Sequence, residues 1–531
     1  MPQKRNNRSL FAFDEGDERF ELLETERGAP EKQTGWNDSH KKSRKAGAIP
    51  RSVNAAEKLL RETFSPEINP DLIIRRFRTG GGTEALIAYM NGMADDAKIN
   101  EFILKPLMLC NDKKPDAESL LMGVIEISET KRETSMEKAA LDVMDGVTAL
   151  FIEGEKECIL LETRGFEKRS IGPAENETTV IGPKESFTES FRTNVTLIRR
   201  GVHTKDLIVE PRPSGGRNNT RLALVYRKGF TNPELLDEVK RRLDGIAVSD
   251  MPGSGVLEQL IEDCGWSPVP QILQTERPDR ACSHLMQGRV CIVVEGSPFV
   301  LLMPVTLFSL MNSPEDVYLR KPLGTAIRLI RYAGALISVM LPGYFLALAL
   351  YHQGVMSTEV LSTVIASRKM VFEPMGAEMI ILLMIFQLIR EAGLRVPGSI
   401  GQAIGIIGGL IMGQAAVAAH LASSVVLIVV AASGLGNFCI PDYSLQISAA
   451  YMRLAVVISA WMGGLLGMVA VTLTALCHLA SLKSFGVPFL APFAPKTYRK
   501  RTLVLRGNIG MHERADDYAN TADDAEIWEE A

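Results

Sequence analysis

A two-part α/β soluble head followed by an α-helical polytopic membrane domain is the architecture this sequence predicts, and three observations predict it. Nearly all the long apolar runs fall after about residue 297, whereas the residues before it carry charges throughout. Within the first part, short β-rich runs alternate with amphipathic helical stripes in two successive blocks. Within the second, residues 400–419 carry Gly401, Gly405, Gly409 and Gly413, one glycine at every fourth position. That spacing lays bare backbone along one helix face and lets a neighbouring helix approach where lipid supplies no hydrophobic drive. Inside a soluble helix each such glycine would cost about 1 kcal/mol relative to alanine.

The 531 residues allow two or three domains, and a net charge of −4 argues against a general nucleic-acid binder. The seven cysteines, Cys110, Cys158, Cys264, Cys282, Cys291, Cys439 and Cys477, are odd in number and form no Cys-x-x-Cys pair. Neither a disulfide framework nor a zinc site is indicated, and a reducing compartment fits. Residues 1–52 are too polar to offset the entropy of ordering them and read as disordered. With no apolar secretory core at the start, the head is expected to be cytoplasmic and to fold alone over 53–295.

The first subdomain, 53–165, begins with a helix at 54–64. Strands follow at 71–77 and 85–89, joined across Gly80-Gly81-Gly82, which lacks the Lys-Ser/Thr of a phosphate loop and reads as a turn. Helices at 95–109 and 136–145 precede two strands around Glu153-Gly154-Glu155. The second subdomain, 166–296, opens with a helix at 184–199 striped by Phe187, Phe191, Val195 and Ile198. Strands at 207–209 and 222–226, helices at 233–243, 257–264 and 278–287, and a strand at 289–295 complete it. In Arg277-Pro278-Asp279-Arg280, a proline at the first helical position and an acid beside it suit a helix N-terminus. The plain reading is a helix start with exposed ion pairs contributing about 0–1 kcal/mol each; the functional reading is a domain or subunit contact.

The membrane domain is assigned to 297–495. Residues 297–311 are apolar but short and broken by Pro304, and read as an interfacial or re-entrant segment. Spans are expected at 332–351, with Pro342 as a kink, at 379–389 with flanking residues, and at 400–419, 421–438 and 454–479. Arg320, Lys321, Arg328 and Arg331 precede the first span, and Lys496, Arg499, Lys500 and Arg501 follow the last. Both ends are therefore placed in the cytoplasm, so one of the five is re-entrant or the Pro304 segment crosses as a sixth. A charged hinge, Arg390, Glu391, Arg395 and Pro397, joins two of the helices, and its carboxylate has either guanidinium within reach of sequence; snorkelling is the alternative. Gln414 is read as an interhelical hydrogen bond of about 0.6 kcal/mol. Ile404, Ile407 and Ile411 offer no charge ring, which leaves a hydrophobic constriction as the gating device. The tail, 496–531, turns from basic to acidic and reads as flexible. Scattered histidines and the lack of Gly-x-Ser-x-Gly or His-Glu-x-x-His predict no enzyme, no metal and no cofactor.

The string REAGLRVPGSIGQAIGIIGGLIMGQAAV, from Arg390 to Val417, resembles the A subunit of the spore germinant receptors, the GerA family of endospore-forming bacteria. Further stretches match in the same order: Ser267-Pro-Val-Pro270, Thr275-Glu-Arg-Pro-Asp-Arg280, Gly296-Ser-Pro-Phe299, Pro314-Glu-Asp316, Ser484-Phe-Gly-Val-Pro-Phe489 and Pro492-Phe-Ala-Pro495. The resemblance covers about 53–497, with mild departures at Val269 and Val396. It implies a multi-pass protein of the spore inner membrane with head and tail in the cytoplasm, in contact with membrane lipid. It also implies an integral-membrane, nutrient-binding B subunit and a lipoprotein C subunit as partners. The A subunit would then be a homo-oligomer that transduces nutrient binding into ion release, as a component of a ligand-gated ion channel. Two rivals come from other classes. A secondary transporter binding solute itself should show an internal repeat of broken helices, which this sequence lacks; a non-conducting membrane scaffold would pass no ions.

Overall fold

In a computed structural model of the chain, the described residues are 47–66, 68–112, 116–165, 172–213, 220–246, 248, 251–395, 411 and 413–494. The first unit comprises α1 (Val53–Phe64), β1 (Leu72–Arg78), β2 (Glu84–Met90), α2 (Asp96–Lys98), a π-helical stretch (Ile99–Leu104), α3 (Lys105–Leu109), α4 (Ala117–Gly123), β3 (Thr130–Glu133), α5 (Met136–Met144), β4 (Thr148–Ile152) and β5 (Cys158–Leu161). In α1, Val53, Ala56, Leu60 and Phe64 recur at helical spacing and are the buried positions. In β4 every residue is buried: Ala149 and Phe151 enter one core with α1 and α5, and Leu150 and Ile152 enter another with Ile103, Leu107 and Leu120. A sheet with helices on both faces results.

The second unit comprises α6 (Phe191–Gly201), β6 (Leu207–Pro213), β7 (Arg221–Arg227), α7 (Pro233–Asp244), α8 (Ser254–Ile261), β8 (Leu273–Thr275), α9 (Pro278–Met286), β9 (Val290–Val294), β10 (Val300–Met303), α10 (Leu307–Met311) and α11 (Glu315–Tyr318). Its sheet runs β6-β7-β9-β10-β8, and that of the first unit runs β1-β2-β4-β5-β3. Both sheets are antiparallel at every pairing. The two orders are the same once each unit is counted from its own first strand, so the head is a topological repeat that sequence patterning did not disclose. Arg199 joins the units, reaching Asp71 at 2.8 Å and the side-chain oxygen of Asn69 at 2.8 Å.

Two sequence expectations change here. The apolar run at 297–311 is not a membrane segment: Val300–Met303 is β10, hydrogen-bonded between β9 and β8. A strand covered on both faces reads as an unbroken apolar run, which is why it resembled an interfacial segment. The second unit therefore continues beyond residue 296. The helix expected over 184–199 begins only at Phe191, where the Ser190 side chain accepts from the Thr193 amide. Phe187 instead donates its amide to the Glu276 carbonyl at 2.7 Å in extended chain.

The helices that follow are α12 (Lys321–Tyr351), α13 (Thr358–Arg368), α14 (Met375–Arg395), α15 (Gly413–Ala418), α16 (Ser424–Asn437) and α17 (Tyr443–Ser481), with the two-residue strands β11 (Lys483–Ser484) and β12 (Val487–Pro488) behind them. Pro342 lies inside α12, and α17 is two helical segments that meet at a break at Gly464, where φ is +60°. Among the described residues, α12 and α17 are long and apolar enough to cross a membrane, and α16 is a shorter apolar helix. His420 has φ +56°, which turns the chain between α15 and α16.

Candidate functional site

Three of the family-like stretches, at 267–270, 314–316 and 484–489, meet where the head joins the helices. The segment after α17 folds back onto the second unit. Phe485 and Val487 join one of its cores, and Leu482 and Phe489 join the other. The Phe485 amide donates to Asp263 at 2.7 Å, and the Arg242 guanidinium lies 4.2 Å from the Phe485 ring centroid. The Ser484 hydroxyl donates to the Gln271 carbonyl at 2.7 Å and accepts from the Val305 amide at 3.0 Å. Ser267 and His478 are 3.2 Å apart, and the Ser448 hydroxyl donates to the Pro268 carbonyl. The two ends of α17 thus both rest on the head.

A second tie is electrostatic. Asp316, 1 % exposed, accepts from Arg328 Nε at 3.0 Å and from both terminal nitrogens of Arg331 at 2.8 and 3.0 Å. Arg331 also donates to the Met311 carbonyl at 3.0 Å. The first long helix is therefore fastened to the end of the second unit by a carboxylate shared between two guanidiniums. Breaking such a buried arrangement by removing one member is strongly destabilising.

Arg277, Pro278, Asp279 and Arg280 do start a helix, with Pro278 at its first position. The two arginines are buried rather than exposed, Arg277 at 1 % and Arg280 at 6 %, with Asp279 half-buried between them. Arg277 holds Asp279 through two hydrogen bonds of 3.0 and 2.7 Å and donates to Thr179 Oγ1 at 2.6 Å and the Pro183 carbonyl at 3.0 Å. Arg280 reaches Glu177 at 2.5 Å and the Asn312 carbonyl at 3.1 Å. The motif clamps the loop before α6 to the α10–α11 connection, a contact within the chain. Nearby, burial pushes the Glu258 carboxyl up to about 7, against the pull of its hydrogen bond from Gln274. Burial, helped by Asp263, likewise pushes Glu262 up to about 7.

Of the hinge and glycine-helix residues, Pro397, Gly401, Ile404, Gly405, Ile407 and Gly409 lie outside the described residues. Arg395 closes α14. The nitrogens of Arg390 are buried without a hydrogen-bond partner, so it does not pair with Glu391. Its guanidinium instead lies 5.9 Å from the Tyr443 ring centroid. Ile411 is 58 % exposed, Gln414 is exposed, and a Cβ on Gly413 would meet only Leu427, at an ordinary 3.5 Å. Close helix approach is made by glycines the sequence pattern did not single out. A Cβ on Gly436 would stand 2.5 Å from the Gly334 carbonyl oxygen, and one on Gly343 would stand 2.6 Å from Val456. Glu378, 2 % exposed, accepts from the Ser423 amide at 2.6 Å and pairs with Arg368 at 3.3 Å.

These features define a helical-bundle protein whose long apolar helices are docked onto a duplicated α/β head. The chain belongs to the Bacillus/Clostridium GerA spore germination protein family, whose profile matches residues 58–518. It is 35% identical over 424 residues to spore germination protein A1 of Bacillus subtilis (strain 168), covering 80% of this chain and 87% of the relative. It is 35% identical over 447 residues to the uncharacterized membrane protein YfkQ of the same strain, covering 84% and 87%. With spore germination protein GerLA of Bacillus cereus it shares 32% over 457 residues, covering 85% and 93%. Against the crystal structure of the N-terminal domain of the A subunit of the Bacillus megaterium spore germinant receptor GerK3 it is 26% identical. That match covers 49% of this chain and 97% of that one at a TM-score of 0.38.

Proposed function

We propose that this chain is the A subunit of a nutrient-responsive germinant receptor, held in the spore inner membrane by α12, α17 and their neighbours. Its work is non-enzymatic: it receives a signal from an integral-membrane, nutrient-binding B subunit and a lipoprotein C subunit and passes it between head and helices. The observation that carries this reading is the fastening of both long apolar helices to the head, α12 through Asp316, Arg328 and Arg331, and α17 through Ser448, His478 and the segment behind it. A displacement at either side is transmitted because packed interiors resist continuous deformation. In an assembly of several copies, the helix at 400–419 would line the shared interface through Gly401, Gly405 and Gly409. Ile404, Ile407 and Ile411 would form a dewetting constriction there, and the exposure of Ile411 in the single chain supports that placement.

The test is genetic and electrical. Spores lacking this chain should lose the response to one class of nutrient and regain it when the gene is restored. Purified protein in liposomes should then pass ions, and replacing Ile407 or Ile411 by serine should raise the resting leak. Spores that respond normally without the chain would refute the receptor assignment; liposomes that stay tight would refute the channel role alone.

A further inference from the structure

Two arginines in the helical bundle have no acid to answer them among the described residues. Arg453 on α17 is 2 % exposed and donates to the Ser433 hydroxyl at 3.2 Å. Ser433 donates in turn to the Ser338 carbonyl at 2.7 Å, and the Ser338 hydroxyl donates to Asn437 Oδ1 at 3.3 Å. The Asn437 amide nitrogen is buried without a partner. Arg390 on α14 is the reverse of a snorkelling side chain: Nε, Nη1 and Nη2 are all buried and unpartnered. Phe386, one turn before Arg390 on α14, packs on Gly434, next to Ser433, and its ring centroid lies 6.3 Å from that of Phe438, next to Asn437. Thus α14 carries Arg390 to the same interior where Arg453 binds Ser433, and two positive charges share it.

The rest of the chain nearby does not neutralise them. Glu378 is engaged by Ser423 and Arg368, and residues 396–410 and Met412 contain neither Asp nor Glu. Two positive charges withdrawn from water without a counter-charge are unfavourable, and both guanidiniums are forks suited to a tetrahedral oxyanion. Arg453 stands about 15 Å along α17 from Tyr443 at 1.5 Å per residue, but helical side chains lean toward the N-terminus, which brings its head group back toward Arg390. Tyr443 opens α17 on the side fastened to the head. A tyrosine there marks the headgroup level of a bilayer.

We infer that Arg390 and Arg453, with the free amide of Asn437, form a binding site for a phosphate group, supplied by an anionic lipid headgroup or by inorganic phosphate. The site rests on the membrane reading above and adds a ligand to it. Anion binding would remove the repulsion between α14 and α17 and so bias how these helices pack.

The full chain, reconstituted in nanodiscs of phosphatidylcholine with or without phosphatidylglycerol, tests this by native mass spectrometry of retained lipid and by thermal unfolding. The wild-type chain should retain phosphatidylglycerol over phosphatidylcholine, and Arg390→Gln or Arg453→Gln should cut that retention roughly tenfold, the loss expected for one charge-assisted fork. Asn437→Ala, a milder change, should cut it less without impairing folding. If inorganic phosphate alone raises the unfolding midpoint in pure phosphatidylcholine discs, the source is the free ion; if only phosphatidylglycerol does, it is lipid. Correctly inserted protein with neither effect, or with effects unchanged in all three variants, overturns the site and leaves the receptor reading standing. The same holds if the arginine variants alter only the number of associated copies, which would assign the missing charge to a second subunit. Failure to insert into the discs at all sinks both readings.

Discussion

Replacing Arg277 with methionine keeps the aliphatic stem and removes every donor of the clamp. Asp279 then loses two hydrogen bonds of 3.0 and 2.7 Å, and Thr179 and the Pro183 carbonyl lose theirs of 2.6 and 3.0 Å. Removing one member of a buried pair typically costs about 3–5 kcal/mol. The lower end applies, because Asp279 keeps the Tyr318 hydroxyl at 3.0 Å and its place in the first turn of α9. A loss of about 3 kcal/mol is roughly a hundredfold in an opening equilibrium. Hydrogen exchange should therefore quicken by about that factor in residues 172–189 and at the start of α9, with little change in the first unit. Arg277→Lys restores the charge without the fork and should recover only part of the protection. Exchange in that loop within threefold of wild type for Arg277→Met would refute the clamp.

Further outcomes follow from the same contacts. Gly436→Ala should destabilise the α12–α16 contact by about 1–3 kcal/mol, since the added carbon meets the Gly334 carbonyl and the Ser338 amide at 2.5 and 3.1 Å; a lowered thermal midpoint in detergent checks it. Glu258 has its folded pKa raised to about 7, so its contribution to stability is present in full below about pH 4.5 and is lost as pH rises through 7. The head should lose stability between pH 5 and 7, and Glu258→Gln should flatten that slope in urea midpoints; an unchanged slope sinks the assignment. A fragment ending at 295 lacks β10, the strand between β9 and β8, and should aggregate, whereas one ending at 320 should show a cooperative transition by circular dichroism.

Most elements of the head were legible because their periodicities were clean: the stripe of α1 and the paired strands at 72–78 and 84–90 lie where sequence put them. What stayed hidden was hidden for physical reasons. β3, Thr-Lys-Arg-Glu, is an exposed edge strand with no apolar alternation, and β10 is so completely buried that it looked like lipid-facing chain. Charge motifs announce chemistry without depth. The Arg277 motif read as a helix start with surface ion pairs, yet Arg277 lies at the centre of a buried network, and so does Asp316, which the sequence offered only as part of a matching stretch. The glycine ladder drew attention through its regular spacing, whereas Gly334, Gly343 and Gly436, which permit the tight contacts described, follow no period that a single helix reveals.

If the nutrient signal crosses between head and helices at their shared interface, Asp316→Asn should block it. The amide matches the carboxylate in shape but leaves Arg328 and Arg331 without their counter-charge. In spores carrying this variant at normal abundance, checked by immunoblot, the nutrient-triggered fall in optical density should be lost or severely slowed while nutrient-independent germination proceeds. A normal nutrient response at normal abundance would contradict the account.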